Sequence, residues 1–282
     1  MSIRPADPGD HPAVSIYVSS AQRDATRHVA YVGDEAASIL EEFSRADRWT
    51  ERMLVAGNGG GLTGVLMADI DEDMGRVWWI GPWADTIEIA TGLLDEARER
   101  FGGAFREEET APDSRNRLVR SVAAVRGFIE ETASTVLSRS HLETAGQMST
   151  HPLVEAGAEA VASLHDRLFP GTHTTGATLV TADETRIRTV DVGGRIAGYV
   201  AFETQPDGSG YIDFLGVEPE MRRRGLGRAL VADACRELAA GGAVTVHLTV
   251  RADAHGAVDL YRSVGFVEER IIVPCRRGFN LD

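Results

Sequence analysis

From Tyr211 to Val217 the chain reads as a strand, which passes through Glu218-Pro-Glu-Met into Arg222-Arg223-Arg224-Gly225-Leu226-Gly227-Arg228. Apolar residues then recur at helical spacing from Leu226 to Leu238. A loop of this composition at a helix start suits a pyrophosphate. Gly225 and Gly227 have no Cβ to keep a ligand away. The first backbone N–H groups of a helix lack intrahelical partners, and its dipole favours negative charge beside them. The arginines add positive charge, which stands out in a chain of 43 acidic and 29 basic residues. The spacing is neither Gly-x-x-x-x-Gly-Lys-Ser/Thr nor, at this turn, Gly-x-Gly-x-x-Gly. A basic helix start with glycine at a turn is the plainer alternative.

A second group, Ala257-Val-Asp-Leu-Tyr261-Arg-Ser-Val-Gly265-Phe266, follows downstream. Arg-x-x-Gly-x-Gly behind a strand ending Leu215-Gly216-Val217-x-Pro resembles the acetyl-CoA loop of the Gcn5-related N-acetyltransferase (GNAT) family. The second group is similar to that family's Ala-x-x-x-Tyr-x-x-x-Gly-Phe element, in the family's order and at its separation. The resemblance implies acetyl-CoA as cosubstrate. Leu215, Gly216 and Val217 would offer backbone groups to the pantetheine arm where the fourth strand parts from the fifth. Arg222, Arg223, Arg224, Gly225, Leu226, Gly227 and Arg228 would hold the pyrophosphate. Tyr261 falls where the family's thiolate-protonating tyrosine stands, and a phenol with a reference pKa of about 10 can act as that acid. A helix residue packed on the sheet is the other reading of Tyr261. The Asn that often opens the second element is Ala254 here, with His255 beside it, so one side-chain contact to the cosubstrate is lost or replaced.

Direct attack by an amine needs a base to remove its proton. Asp213 alternates along the strand with Tyr211, Leu215 and Val217, on the parity where the resemblance implies a carboxylate facing the acetyl group, and is the expected base. Glu203 on the preceding strand is the reserve, and edge or surface carboxylates are the other reading of both. The Val217 N–H would polarise the thioester carbonyl.

The elements that hold these residues occur twice. Gly64 matches Gly198, Leu94 matches Leu230 and Gly127 matches Gly265, at offsets of 134, 136 and 138. Order and spacing kept over a whole unit point to two copies of one α/β fold, each a strand, a helix, two or three strands, a helix, a strand, a helix and a strand around a mixed sheet. With the resemblance, this implies two tandem GNAT folds, residues 1–144 and 151–282, joined by a polar, turn-rich linker. The first copy has lost the loop. It offers Asp85-Thr-Ile-Glu-Ile-Ala-Thr-Gly there and Ala123 at the tyrosine position, so only the second is expected to bind acetyl-CoA. Trp78, Trp79 and Trp83 could line an acceptor pocket, but aromatic residues on a strand usually serve the core. Asn58-Gly59-Gly60-Gly61 reads as a hairpin turn.

A length of 282 residues suits two domains, and 43% hydrophobic with 26% charged residues is ordinary for a globular protein. A net charge of −14 repels phosphate polymers and anionic lipid surfaces, which argues against nucleic acid or a membrane surface as partner and favours a cationic amine. Cys235 and Cys275 form neither a metal spacing nor a disulfide framework, so no metal is expected. No secretory or spanning segment is legible, and the cytoplasm is the expected location. The expected reaction is acetyl transfer from acetyl-CoA to a small-molecule or peptide amine in a ternary complex. A homodimer is compatible with the sequence. A CoA-binding sensor without turnover, or a transferase of longer acyl groups, remains an alternative.

Overall fold

Glycine fixes how closely the central helix of each copy lies on its sheet. A Cβ on Gly64 would stand 2.7 Å from Ile89 Cγ2 and 2.8 Å from Leu93 Cδ1, and one on Gly198 would stand 2.8 Å from the Gly216 carbonyl and 3.3 Å from Leu230 Cδ1. Gly127 and Gly265, which end the helix before the last strands, both take positive φ, 80° and 92°. The sequence repeat is thus a repeat of structural roles. These positions come from a computed structural model that describes residues 2–30, 32–45, 49–72, 75–101, 105–142, 150–172 and 174–278. Most of the expected linker, 143–149, lies outside the described residues.

Unit 1 comprises Met1–Ser134 and Arg270–Asp282. It begins with β1 (Ser2–Pro5), α1 (His11–Gln22), α2 (Ala36–Arg45) and α3 (Trp49–Arg52). A meander follows, β2 (Met53–Asn58), β3 (Gly61–Asp71) and β4 (Arg76–Ala84), then α4 (Ile87–Phe101), β5 (Glu107–Thr110), α5 (Arg117–Val125) and β6 (Ile129–Glu130). Unit 2, Thr135–Glu269, holds β7 (Ser134–Arg139), β8 (His151–Pro152), α6 (Glu155–Leu168) and α7 (Gly176–Thr181). Its meander is β9 (Arg186–Val192), β10 (Arg195–Thr204) and β11 (Gly210–Val217), followed by α8 (Leu226–Ala240), β12 (Val246–Arg251), α9 (His255–Ser263) and β13 (Val267–Ile272), which crosses the boundary at 269–270. The last described strand is β14 (Cys275–Gly278).

The units exchange their last strands. Among the described residues the first sheet runs β1-β2-β3-β4-β5-β14-β6 and the second β13-β7-β12-β11-β10-β9-β8. β14 therefore sits inside the first sheet, and β7, from the first half of the chain, sits inside the second. A boundary at 144–151 read from sequence assigns both strands by chain order; the contacts assign Thr135–Arg139 to unit 2 and 270–282 to unit 1. Charge explains one half of the exchange. β5 reads Glu-Glu-Glu-Thr and β14 reads Cys-Arg-Arg-Gly, with Arg276 opposite Glu109 and Arg277 opposite Glu108. Arg276 reaches the nearly buried Glu109 at 2.8 Å.

In unit 2 the sheet is covered on both faces. α8 lays Leu226, Leu230, Ala234 and Leu238 on Val200, Phe202, Ile212 and Leu248. On the other face α6 and α7 bring Val161, Leu164 and Leu179 to Ile187, Tyr199, Ala201 and Phe214. Each buried Val, Leu, Ile or Phe among them contributes about 1.5–3 kcal/mol before the entropy of ordering is subtracted.

Candidate functional site

A gap opens where β11 outruns its parallel neighbour. Register pairs join Gly210, Tyr211 and Ile212 to Val246, His247 and Leu248, while β11 continues to Val217 on its pairing with β10 alone. In an antiparallel pair alternate N–H and C=O groups point away from the partner strand, so this segment presents backbone groups to the gap. Leu215, Gly216 and Val217 all lie on it, as expected from the sequence.

Asp213 is placed differently from the reading of unbroken alternation. Ala201 pairs with Phe214 and Phe202 with Ile212, which leaves Asp213 as the extra residue of a β-bulge. Ile212 joins the α8 side of the sheet and Phe214 the α6 side, so the strand changes parity at Asp213. The bulge sets its carboxylate within electrostatic reach of two phenols, Tyr199 and Tyr211, and helps to raise the pKa of both. Burial is the larger cause in each case; Tyr211, bonded to Thr249, is pushed up to about 12. Glu203, the reserve base, accepts a hydrogen bond of 2.6 Å from the Gln205 amide.

After Val217 the chain turns through a short 3-10 segment, Pro219–Met221, into the arginine loop. Arg223 has φ 64° and Gly225 φ 83°, both left-handed. A non-glycine residue held there is uncommon and costs strain, and such residues concentrate where a loop is shaped for a ligand. The loop leads into the exposed N-terminus of the fifteen-residue α8, where the first backbone N–H groups lack intrahelical partners and the helix dipole favours an anion. Arg222, also exposed, donates from Nε to the Val217 carbonyl at 3.1 Å and ties the loop to the strand end. Leu226 is 2% exposed and belongs to the core, leaving its backbone to the site. Gly227 has a packing role, since a Cβ there would stand 3.1 Å from Leu260 Cδ2 on α9.

Tyr261 lies on α9, buried, with its ring edge-on to Phe266 at 5.9 Å between centroids. Burial, and secondarily the neighbouring Tyr211, push its pKa well above the ordinary phenol value. The phenol therefore stays protonated through the physiological range. Ala254 caps α9 without a side-chain hydrogen bond, and His255 is exposed beside it.

Unit 1 closes the corresponding places with its own residues. Only residues 85 and 86 separate β4 from α4, against 218–225 between β11 and α8. Asp85 and Glu88 bring negative charge to that helix start. The gap after the Trp78–Glu109 pair is bridged by the Thr110 hydroxyl, which donates to the Gly81 carbonyl at 2.8 Å, and Ala30 N–H donates to the Ala111 carbonyl beyond it. Trp79 and Trp83 are core residues with indole N–H groups on Glu108 and Gln22, and Ala123 is buried where unit 2 has its tyrosine. Cys235 and Cys275 are buried free thiols. Among the described residues no group of three or more His, Cys, Asp or Glu is placed to hold a metal ion, and no helix is long and apolar enough to cross a membrane.

Residues 158–266 match the model of the acetyltransferase (GNAT) family. Over 273 residues the chain is 28% identical to a mycothiol acetyltransferase of Clavibacter michiganensis, covering 95% of this chain and 81% of the relative. A stretch of 57 residues is 46% identical to the ribosomal protein bS18 alanine N-acetyltransferase of Salmonella typhimurium, 20% of this chain and 38% of that one. Among solved structures, a GCN5-related N-acetyltransferase from Sphaerobacter thermophilus superposes with a TM-score of 0.81 at 17% identity, over 98% of this chain and 95% of the other. A tandem GNAT protein from the clavulanic acid biosynthesis pathway gives 0.69 at 14% identity over 98% of both chains.

Proposed function

This chain belongs to the GNAT family of N-acetyltransferases, and on that premise we propose that unit 2 alone binds acetyl-CoA and passes its acetyl group directly to the amine of a small molecule. The observation that carries the reading is the pairing of an open β11–β12 gap with the left-handed Arg223–Gly225 loop at the start of α8. The loop fits a diphosphate and the gap fits an extended arm beside free backbone groups; acetyl-CoA would supply an activated acyl group on a thiol leaving group. Backbone N–H groups of the Asp213–Val217 segment that point away from β10 hold and polarise the acyl carbonyl. Asp213, set forward by its bulge, takes the proton of the attacking ammonium. Tyr261 gives its proton to the departing sulfur. Arg222 shapes the loop through Val217, while the exposed Arg223, Arg224 and Arg228 supply its positive field.

Likeness to mycothiol acetyltransferase over nearly the whole chain supports a small-molecule acceptor, whereas the likeness to a protein-acetylating relative covers a fifth of it. The net charge of −14 favours an acceptor that arrives as a cation.

Calorimetric titration with acetyl-CoA tests the reading. One site per chain is expected, weakened at least about tenfold by Gly225→Val, because a β-branched residue resists φ 83°. Thiol release is then followed with a panel of amines that includes the acceptor of mycothiol acetyltransferases. Absence of binding to the wild type, or binding with no thiol release from any amine, overturns it.

A further inference from the structure

His165 on α6 and Tyr199 on β10 are both fully buried, and the chemistry above uses neither. His165 Nε2 lies 3.0 Å from the Thr174 carbonyl, which can only accept, so Nε2 carries the proton. Nδ1 then accepts from the Tyr199 hydroxyl at 2.7 Å. Two directional bonds thus fix a phenol ring that has an exact task in the sheet. Tyr199 is the register partner of Gly216, and a Cβ on Gly216 would stand 2.5 Å from Tyr199 Cε1, so the ring lies over the bare Cα. His165 also meets Phe214 edge-on, 4.5 Å between centroids and 85° between planes, and Phe169 meets Phe214 at 5.2 Å. Phe214 and Gly216 flank Leu215 on the segment of β11 that has parted from β12.

We infer that His165 and Tyr199 are positioning residues for the acetyl-CoA gap. Their hydrogen bond locks an aromatic brace under Phe214 and Gly216, and the brace holds the splayed end of β11 in the geometry that meets the pantetheine arm. This rests on the reading of the gap as the acetyl-CoA site. The brace meets the strand at Phe214 and Gly216, so it acts on the half of the ligand that lies along the strand.

Two probes separate the halves: acetyl-CoA, and 3′-phosphoadenosine 5′-diphosphate, which has the nucleotide diphosphate and lacks the pantetheine arm. Tyr199→Phe is expected to weaken acetyl-CoA about tenfold by calorimetry and to leave the nucleotide within about twofold. Stability is controlled by the His165→Leu/Tyr199→Phe double variant. It removes both polar partners, so its urea midpoint returns toward wild type while acetyl-CoA affinity stays low. Affinity that recovers with stability, equal weakening of both probes, or no weakening of either overturns the inference. Should the Tyr199 variants not fold, Gly216→Ala displaces the ring without removing a polar group; the same selective loss supports the brace, and equal loss of both probes or no loss overturns it. A wild type that binds the nucleotide but not acetyl-CoA, or neither, overturns the functional reading itself, a result distinct from any change between variants.

Discussion

Tyr261 and Asp213 show how far a single side chain could be placed in advance. Tyr261 was legible because its motif fixes both neighbours: Phe266 supports the ring and the helix start fixes its turn. Tyr261→Phe keeps that packing and removes the proton, so acetyl-CoA affinity should stay within about twofold while the transfer rate falls by about 10²–10⁴-fold. A loss confined to affinity would assign Tyr261 to the core. Because burial holds its pKa above the ordinary phenol value, the acid form persists as pH rises, and the rate should show no alkaline decline below about pH 10 that Tyr261→Phe abolishes. Asp213 was legible as a residue but not as a geometry. A period-two reading assumes an unbroken ladder, and a bulge is a choice made by two strands together.

At the scale of elements, the glycines divide into those that shape a turn and those that admit a neighbour. Gly225 belongs to the first kind by its φ, Gly227 to the second by its approach to Leu260, and one sequence motif contains both. The exchanged strand β14 was invisible for another reason: either sheet offers a slot of the same shape beside its parallel pair, and chain order does not say which strand fills it. The acidic β5 opposite the basic β14 decides it by charge. Glu109 keeps 3% of its side chain exposed, and Arg276→Ala in the full chain removes a short charged contact from that carboxylate. Urea unfolding should report a loss of about 1.5–3 kcal/mol, the usual size for a hydrogen bond between charged groups. Arg276→Ala combined with Glu109→Gln should recover much of it. A single variant with an unchanged midpoint would mean that charge does not hold β14 in place.

For the molecule as a whole, buried phenols contribute to the response to alkali, as the buried thiols Cys235 and Cys275 do. Tyr199 and Tyr261 are held protonated by burial well above the ordinary value. The folded chain keeps these protons at a pH where the unfolded chain, with phenols near 10, has released them, so stability is fully present below about pH 10 and falls as pH rises further. Each contributes a slope of up to about 1.4 kcal/mol per pH unit. Urea midpoints at about pH 8 and about pH 11 measure it, and Tyr199→Phe should flatten the fall relative to its own neutral-pH value. A midpoint that holds steady to about pH 11 would contradict the buried state of these rings. The sequence alone determined the duplication, the mixed sheets, the arginine loop and which copy keeps it. Those features depend on residues near one another in the chain, or on a pattern carried twice with little drift. Only the tertiary structure decided which strand enters which sheet, where the ladder bulges, that Arg222 ties its loop to Val217, and that a histidine and a tyrosine 34 residues apart brace one strand. Each of these is a contact between distant segments, and its energy depends on a register or a packing distance that no local pattern specifies.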